Sequence, residues 1–239
     1  MTESVVTYRF LSKVMYPDGQ HFTYEKTVSL SWKVTENGYL LTLHGIGDEL
    51  IDKKPPEEFD LIVSWLGRAT YPVTIEMENG KIKNVYQIDD VRERWTKEYH
   101  RIIDLYENAG HIKDYIKRSS TNLATEETFI KAFSRDSITQ LFYVGEYPQV
   151  LPVMLDNFPH VGEILPCKLL QRNYNNQEIY YNSESNENRG ITLSNKAELY
   201  VKLTDKGYPE LIQFLCKAEV AGKGIYNKRI ELRQTNDKY

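Results

Sequence analysis

VTYRFLSKVMYPDGQHFTYEKTVSLSWKVTENGYLLTLH, residues 6–44, decides the fold class by its spacing. Val6, Tyr8, Phe10, Val14 and Tyr16 fall on even positions, the period of two that puts one face of a strand in a core. Pro17-Asp18-Gly19 supplies a turn, and Phe22, Tyr24, Val28, Leu30, Trp32 and Val34 repeat the alternation. Asn37-Gly38 tolerates the positive φ of a tight hairpin. A third strand is expected from Tyr39 to His44, so the chain opens as a three-stranded meander.

Beyond Pro55-Pro56-Glu57-Glu58 the period changes. Phe59, Ile62, Val63 and Leu66 stand at i, i+3, i+4 and i+7, one face of a short helix, with the prolines suited to its first turn and Gly67 to its exit. Tyr71 to Met77 and Lys81 to Ile88 read as two strands joined by Asn79-Gly80. Asp89 or Asp90 can cap the next helix, whose apolar face is Val91, Trp95, Tyr99, Ile102, Ile103 and Tyr106, with Gly110 as its stop. A helix over His111 to Lys117 follows, then one started by Thr125 with Phe129, Ile130 and Phe133, and one started by Asp136 with Ile138, Leu141 and Phe142.

Pro148, Pro152, Pro159 and Pro166 punctuate an apolar series that includes Tyr147, Val150, Leu151, Met154, Leu155 and Phe158. Proline lacks the amide hydrogen that a helix interior or a central strand requires, so this segment is expected to be an irregular arm. It is too apolar for a solvated linker. It packs either on its own domain or on a partner protein, and those six residues are the candidate partner-binding set.

Strands return at Leu165 to Tyr174, Gln177 to Ser183, Ile191 to Leu203, Tyr208 to Val220 and Ile225 to Leu232, with a polar loop tip from Glu184 to Gly190. Strands joined by such tight turns pair antiparallel, because a parallel sheet needs crossover helices that neither end of the chain offers. The expected fold is therefore α+β, with antiparallel meanders at both ends, forming one curved sheet or two, around a central helical insert. The segments are 1–88 (meander with one short helix), 89–143 (helical), 144–166 (the arm) and 167–239 (second meander). In architecture alone this is similar to the half-barrel carriers of lipoproteins and lipids.

The 239 residues are 41% hydrophobic and 27% charged, which predicts a packed core. Acids and bases mix along a chain of net charge −4, so no basic face is expected to track nucleic acid. No apolar run reaches the roughly 18 residues of a membrane span. The opening residues lack a secretory pattern, so a cytoplasmic location is expected. Two cysteines, Cys167 and Cys216, are too few for a disulfide framework or a four-ligand zinc site and read as core thiols. None of His21, His44, His100, His111 and His160 has metal-ligand spacing, so neither metal nor cofactor is expected.

No nucleophile elbow, P-loop or dinucleotide fingerprint occurs, and no catalytic residue is assigned. Asp89-Asp90 reads as a capping pair rather than an acid/base pair. Arg92, Arg94, Lys97 and Arg101 interleave with Glu93, Glu98 and Asp104 as a solvated helix face. The 18 tyrosines suit strands first and interfaces second. The leading expectation is a non-catalytic protein-binding or adaptor protein, with a hetero- or homo-oligomeric protein partner. It fits a subunit or accessory of a larger bacterial assembly such as a secretion or injection machine, or an immunity-type inhibitor. A second class is a carrier holding a lipid or other hydrophobic ligand in a half-barrel cavity, marked by unfilled space between the sheet and the helix face of Trp95, Tyr99 and Ile103. An enzyme whose groups come from distant loops is a third.

Overall fold

The computed structural model describes residues 5–78, 81–106, 110–141, 149–159, 163–175, 177–183, 186–188, 191–193 and 197–235. The protein is α+β and mostly antiparallel sheet. The N-terminal meander comprises β1 (Val6–Met15), β2 (His21–Val34) and β3 (Tyr39–Ile51). Next come α1 (Glu58–Ala69), β4 (Val73–Glu78) and β5 (Lys81–Tyr86), followed by α2 (Ile88–Leu105), α3 (Gly110–Thr121), α4 (Glu126–Phe133) and α5 (Ser137–Leu141). The C-terminal strands are β6 (Val150–Asp156), β7 (Ile164–Tyr174), β8 (Glu178–Ser183), β9 (Asn186–Asn188), β10 (Ile191–Leu193), β11 (Glu198–Leu203), β12 (Pro209–Val220) and β13 (Gly224–Gln234).

The two meanders join side by side, because β1 pairs with β13 from Tyr8↔Gln234 to Met15↔Asn227. The main path runs β5-β4-β3-β2-β1-β13-β12-β11-β8-β7-β6, every pair antiparallel. One face carries the core: Tyr8, Leu30, Leu41, Ile75, Phe214, Val201 and Leu169 are all fully buried.

Where residues depart from the expected elements, local chemistry gives the reason. The third strand continues past His44 to Ile51 although its alternation fails there, because β2 bulges opposite it between Lys26 and Val28 and between Ser29 and Leu30. Gly47 makes that close approach possible: a Cβ there would stand 2.1 Å from Thr27 Oγ1. Pro55 and Pro56 precede α1 rather than opening it, and Gly67 lies inside the helix, whose exit is Thr70. The helix cap at Gln87 is left-handed, with φ 56°, so Asp89 and Asp90 lie in the first turn of α2, where the helix dipole favours them. That helix ends at Leu105, and Gly110 opens α3 instead of closing α2. Thr125 caps α4 through a capping box with Thr128, as its position predicts.

The proline-punctuated segment departs most. Val150–Asp156 is an edge strand paired with β7, not an irregular arm. Met154 and Pro166 face each other in that ladder, as do Pro152 and Lys168. The backbone N–H and C=O of Met154 point away from β7, toward α5. Alternation then points residue 152 outward as well and makes both proline positions non-hydrogen-bonded sites of the ladder. The missing amide hydrogens cost nothing there. The run expected from Ile191 to Leu203 is split into β10 and β11, both paired with β12, and Asn186–Asn188 of the expected loop tip pairs with β10.

The sheet curls until its first and last strands meet the same two helices. Met77 and Ile82 of β4 and β5, Ile130 of α4, Gln140 of α5 and Pro152 and Met154 of β6 line one hollow of about 310 Å³. Glu126 at the start of α4 accepts from the Val85 amide of edge strand β5 at 3.3 Å. Gln140 pairs with Met154 of edge strand β6. Both edges are thus occupied by side chains of the bridging helices. Inside the curl, the buried Phe158 ring lies 5.7 Å from Lys228 Nζ of β13, five places from β6 along the path.

Candidate functional site

The helices build a lobe around Trp95. Val91, Trp95 and Ile102 of α2 are buried, while Tyr99, Ile103 and Tyr106 are partly so, the face that the sequence predicts. Arg94 ties α2 to the turn after α1 by donating to Pro72 O at 2.6 Å, and Arg92 donates to Leu123 O at 2.8 Å. The Trp95 ring stacks on Tyr99 with 5.8 Å between centroids.

Trp95 is 7% exposed and lines three hollows, and the other residues lining them come from helices and the turns beside them rather than from the sheet. The first, about 590 Å³, lies between Trp95, Thr96, Tyr99 and Ile103 of α2 and Lys113, Lys117 and Ser120 of α3. The second, about 330 Å³, shares Trp95, Thr96 and Ser120 with it and adds Arg92, Leu123 and Ala124. The third, about 390 Å³, shares Trp95 and Leu123 with the second and is walled by Val63 and Leu66 of α1, Tyr115 of α3 and Phe129 and Phe133 of α4. Residues of α3 thus line all three hollows beside Trp95. Each volume is within the range of small-molecule sites, roughly 300–1,000 Å³.

A buried carboxylate stands behind this lobe. Glu49 of β3 accepts hydrogen bonds from Ser64 and from Arg68 Nε (3.1 Å) of α1, and from the Tyr24 hydroxyl of β2. Burial alone would raise the Glu49 carboxyl, but the hydrogen bonds from Ser64, Tyr24 and Arg68 outweigh it and hold the group below the usual carboxylate range. Burial, reinforced by the bond to Glu49, pushes the Tyr24 hydroxyl up. This network fastens α1 to the sheet, and its oxygens are engaged with fixed partners rather than presented to a substrate.

The two cysteines are enclosed as well. Burial pushes the Cys167 thiol up to about 12 and raises Cys216 as well, so both stay protonated at neutral pH. His44 Nε2 lies 2.7 Å from Ser31 Oγ, and the Tyr99 ring meets His100 edge-on. His160 lies outside the described residues. Among the described residues no group of three or more His, Cys, Asp or Glu is placed to hold a metal ion, and no helix is long and apolar enough to cross a membrane. Asp89 pairs with Arg92 at 2.8 Å and Glu93 with Lys97 at 2.8 Å, the helix-face pattern that their spacing predicts.

The candidate partner-binding residues divide by face. Leu151, Leu155 and Phe158 are buried in the core, whereas Val150 and Met154 are each 38% exposed on the outer face of β6. Tyr147 lies outside the described residues. The sequence reading missed Lys113, Lys117 and Ser120, which stand at i, i+4 and i+7 and so share one stripe of α3. That spacing was a legible signal. No family model matches the chain, and its sequence matches none of the curated proteins.

Proposed function

We propose that the protein is a non-catalytic carrier that holds a hydrophobic ligand in the helical lobe. The observation that carries this reading is the set of three hollows that meet at Trp95, each also lined by α3 or the turn after it and sharing Thr96, Ser120 or Leu123 with a neighbour. Adjoining open clefts with largely apolar linings around a tryptophan offer a ligand apolar surface to cover. The space lies beside Trp95, Tyr99 and Ile103 with α3 as its opposite wall, between two helices and not between helix and sheet as the sequence predicts of a carrier. Binding also suits the protonated cysteines and the saturated Glu49, groups poorly disposed to act as nucleophile or base. Native mass spectrometry of protein purified from its own host, together with uptake of the neutral dye Nile red, tests the reading. A bound apolar mass and dye uptake are expected. Bare protein that takes up no dye would rule the carrier out.

A protein-binding role is supported by a different observation, the exposed pair Val150 and Met154 on the outer face of an edge strand. An adaptor would use that face, and its partner would be lost on substituting Val150→Glu with Met154→Glu. Unchanged recovery of the partner by the double variant would remove this second reading.

A further inference from the structure

We propose that the lobe takes a single-chain anionic amphiphile, with its head group at Lys113 and Lys117 and its chain running past Trp95 toward Phe129 and Phe133. This rests on the carrier reading and names the class of ligand. The hollow between α2 and α3 has two unlike walls. On α3 the lining residues are Lys113, Lys117 and Ser120, one polar stripe, and on α2 they include Trp95, Tyr99 and Ile103. An occupant must therefore be charged along one side or end and apolar elsewhere.

The charge is set locally. The chain as a whole carries −4, yet the cations lining the three hollows are Arg92, Lys113, Lys117 and Arg135, against the single acid Asp136. Asp136 is engaged, its Oδ1 accepting from the amides of Ile138 and Thr139 at 3.0 and 2.9 Å. Arg92 is engaged too, by Asp89 and Leu123 O. Lys113 and Lys117 are exposed and form no ion pair with a described residue, so the site offers two ammonium groups one helical turn apart. The second hollow shares Trp95 and Thr96 with this one, the third shares Trp95 and Leu123 with the second, and Val63, Leu66, Phe129 and Phe133 give the third its apolar surface. A chain with one anionic end matches this sequence of surfaces. A neutral oil leaves the lysines unanswered, and a cationic amphiphile is repelled by them.

The test uses the full chain, stripped of ligand, titrated calorimetrically with dodecanoate, dodecanol, dodecylamine and lauroyl lysophosphatidate below their micellar concentrations. Dodecanoate is expected to bind about tenfold more tightly than dodecanol or dodecylamine, as a charge-assisted contact at a partly enclosed site allows. The Lys113→Glu, Lys117→Glu double variant should lose that preference, binding dodecanoate no more tightly than dodecanol. Both lysines are exposed, so its melting temperature should be unchanged. Tighter binding of the lysophosphatidate would support the proposal with a phosphate head in place of a carboxylate. Equal binding of dodecanoate and dodecanol, or a preference that survives the double substitution, would overturn the proposal while leaving the carrier reading intact. Binding of none of the four ligands would overturn both.

Discussion

The side-chain amide of Gln140 stands in for a missing β-strand: its Oε1 accepts from the Met154 amide at 2.6 Å and its Nε2 donates to the Met154 carbonyl at 2.9 Å. A neighbouring strand would make the same two bonds to that residue. Gln140→Leu should keep the packing and lose both bonds, at a cost of about 1–3 kcal/mol. Hydrogen exchange should accelerate at Met154, and light scattering should show association along the opened edge. Unaltered protection at Met154 would show that the bond pair contributes nothing.

Trp95→Ala should lower stability by about 3–5 kcal/mol, because a buried indole that stacks on Tyr99 leaves its neighbours without contacts. Denaturant unfolding measures this. A variant that melts like its parent would mean that the space around Trp95 extends further than its lining residues imply.

Glu49 makes stability depend on pH with a definite sign. Its folded pKa lies below the ordinary glutamate value of 4.5, so its contribution is fully present above that pH and is lost as pH falls through the depressed folded value. Glu49→Gln should cost about 1–3 kcal/mol at pH 7, and the gap from the parent should narrow in acid. Melting curves of both proteins from pH 7 to pH 3 check the sign. A gap that widens in acid would contradict it.

Leu151→Glu with Leu155→Glu should unfold the protein, since both side chains are 2% exposed and would bring charges into the core. Val150→Glu with Met154→Glu, on the other face of the same strand, should shift stability by about 0.5 kcal/mol or less per site. Circular dichroism of the two double variants separates the faces. Equal loss in both would mean that the outer face of β6 is covered in solution.

The strands were legible wherever one face met water and the other met the core. β1, β2 and β11 to β13 follow from alternation alone, and the α2 face from Val91, Trp95 and Ile102 was legible for the same reason. Strand β6 was hidden because its legibility depends on the phase of Pro152 against a partner, which a single strand's sequence does not contain. Extension of β3 through Gly45-Ile46-Gly47 was hidden by the bulges of β2, a tertiary matter. The Glu49 network joins residues 24, 49, 64 and 68 from three elements, so no short motif could announce it. The lysine stripe of α3 was visible as a spacing, yet only the hollow beside it gives the stripe a meaning.

The positions of Pro152 and Pro166 constrain how this half of the chain can err while folding. Turning β6 over by one residue would aim Pro152 at β7, where an amide donor is required, and would also drive Leu151, Val153 and Leu155 into water. Two unrelated penalties therefore fall on the same mistake. A strand at the rim of a long sheet, paired on one side only, has few neighbours to correct its alignment. In β6 the correction is written into the strand itself, and prolines that look like interruptions serve as its proofreading marks.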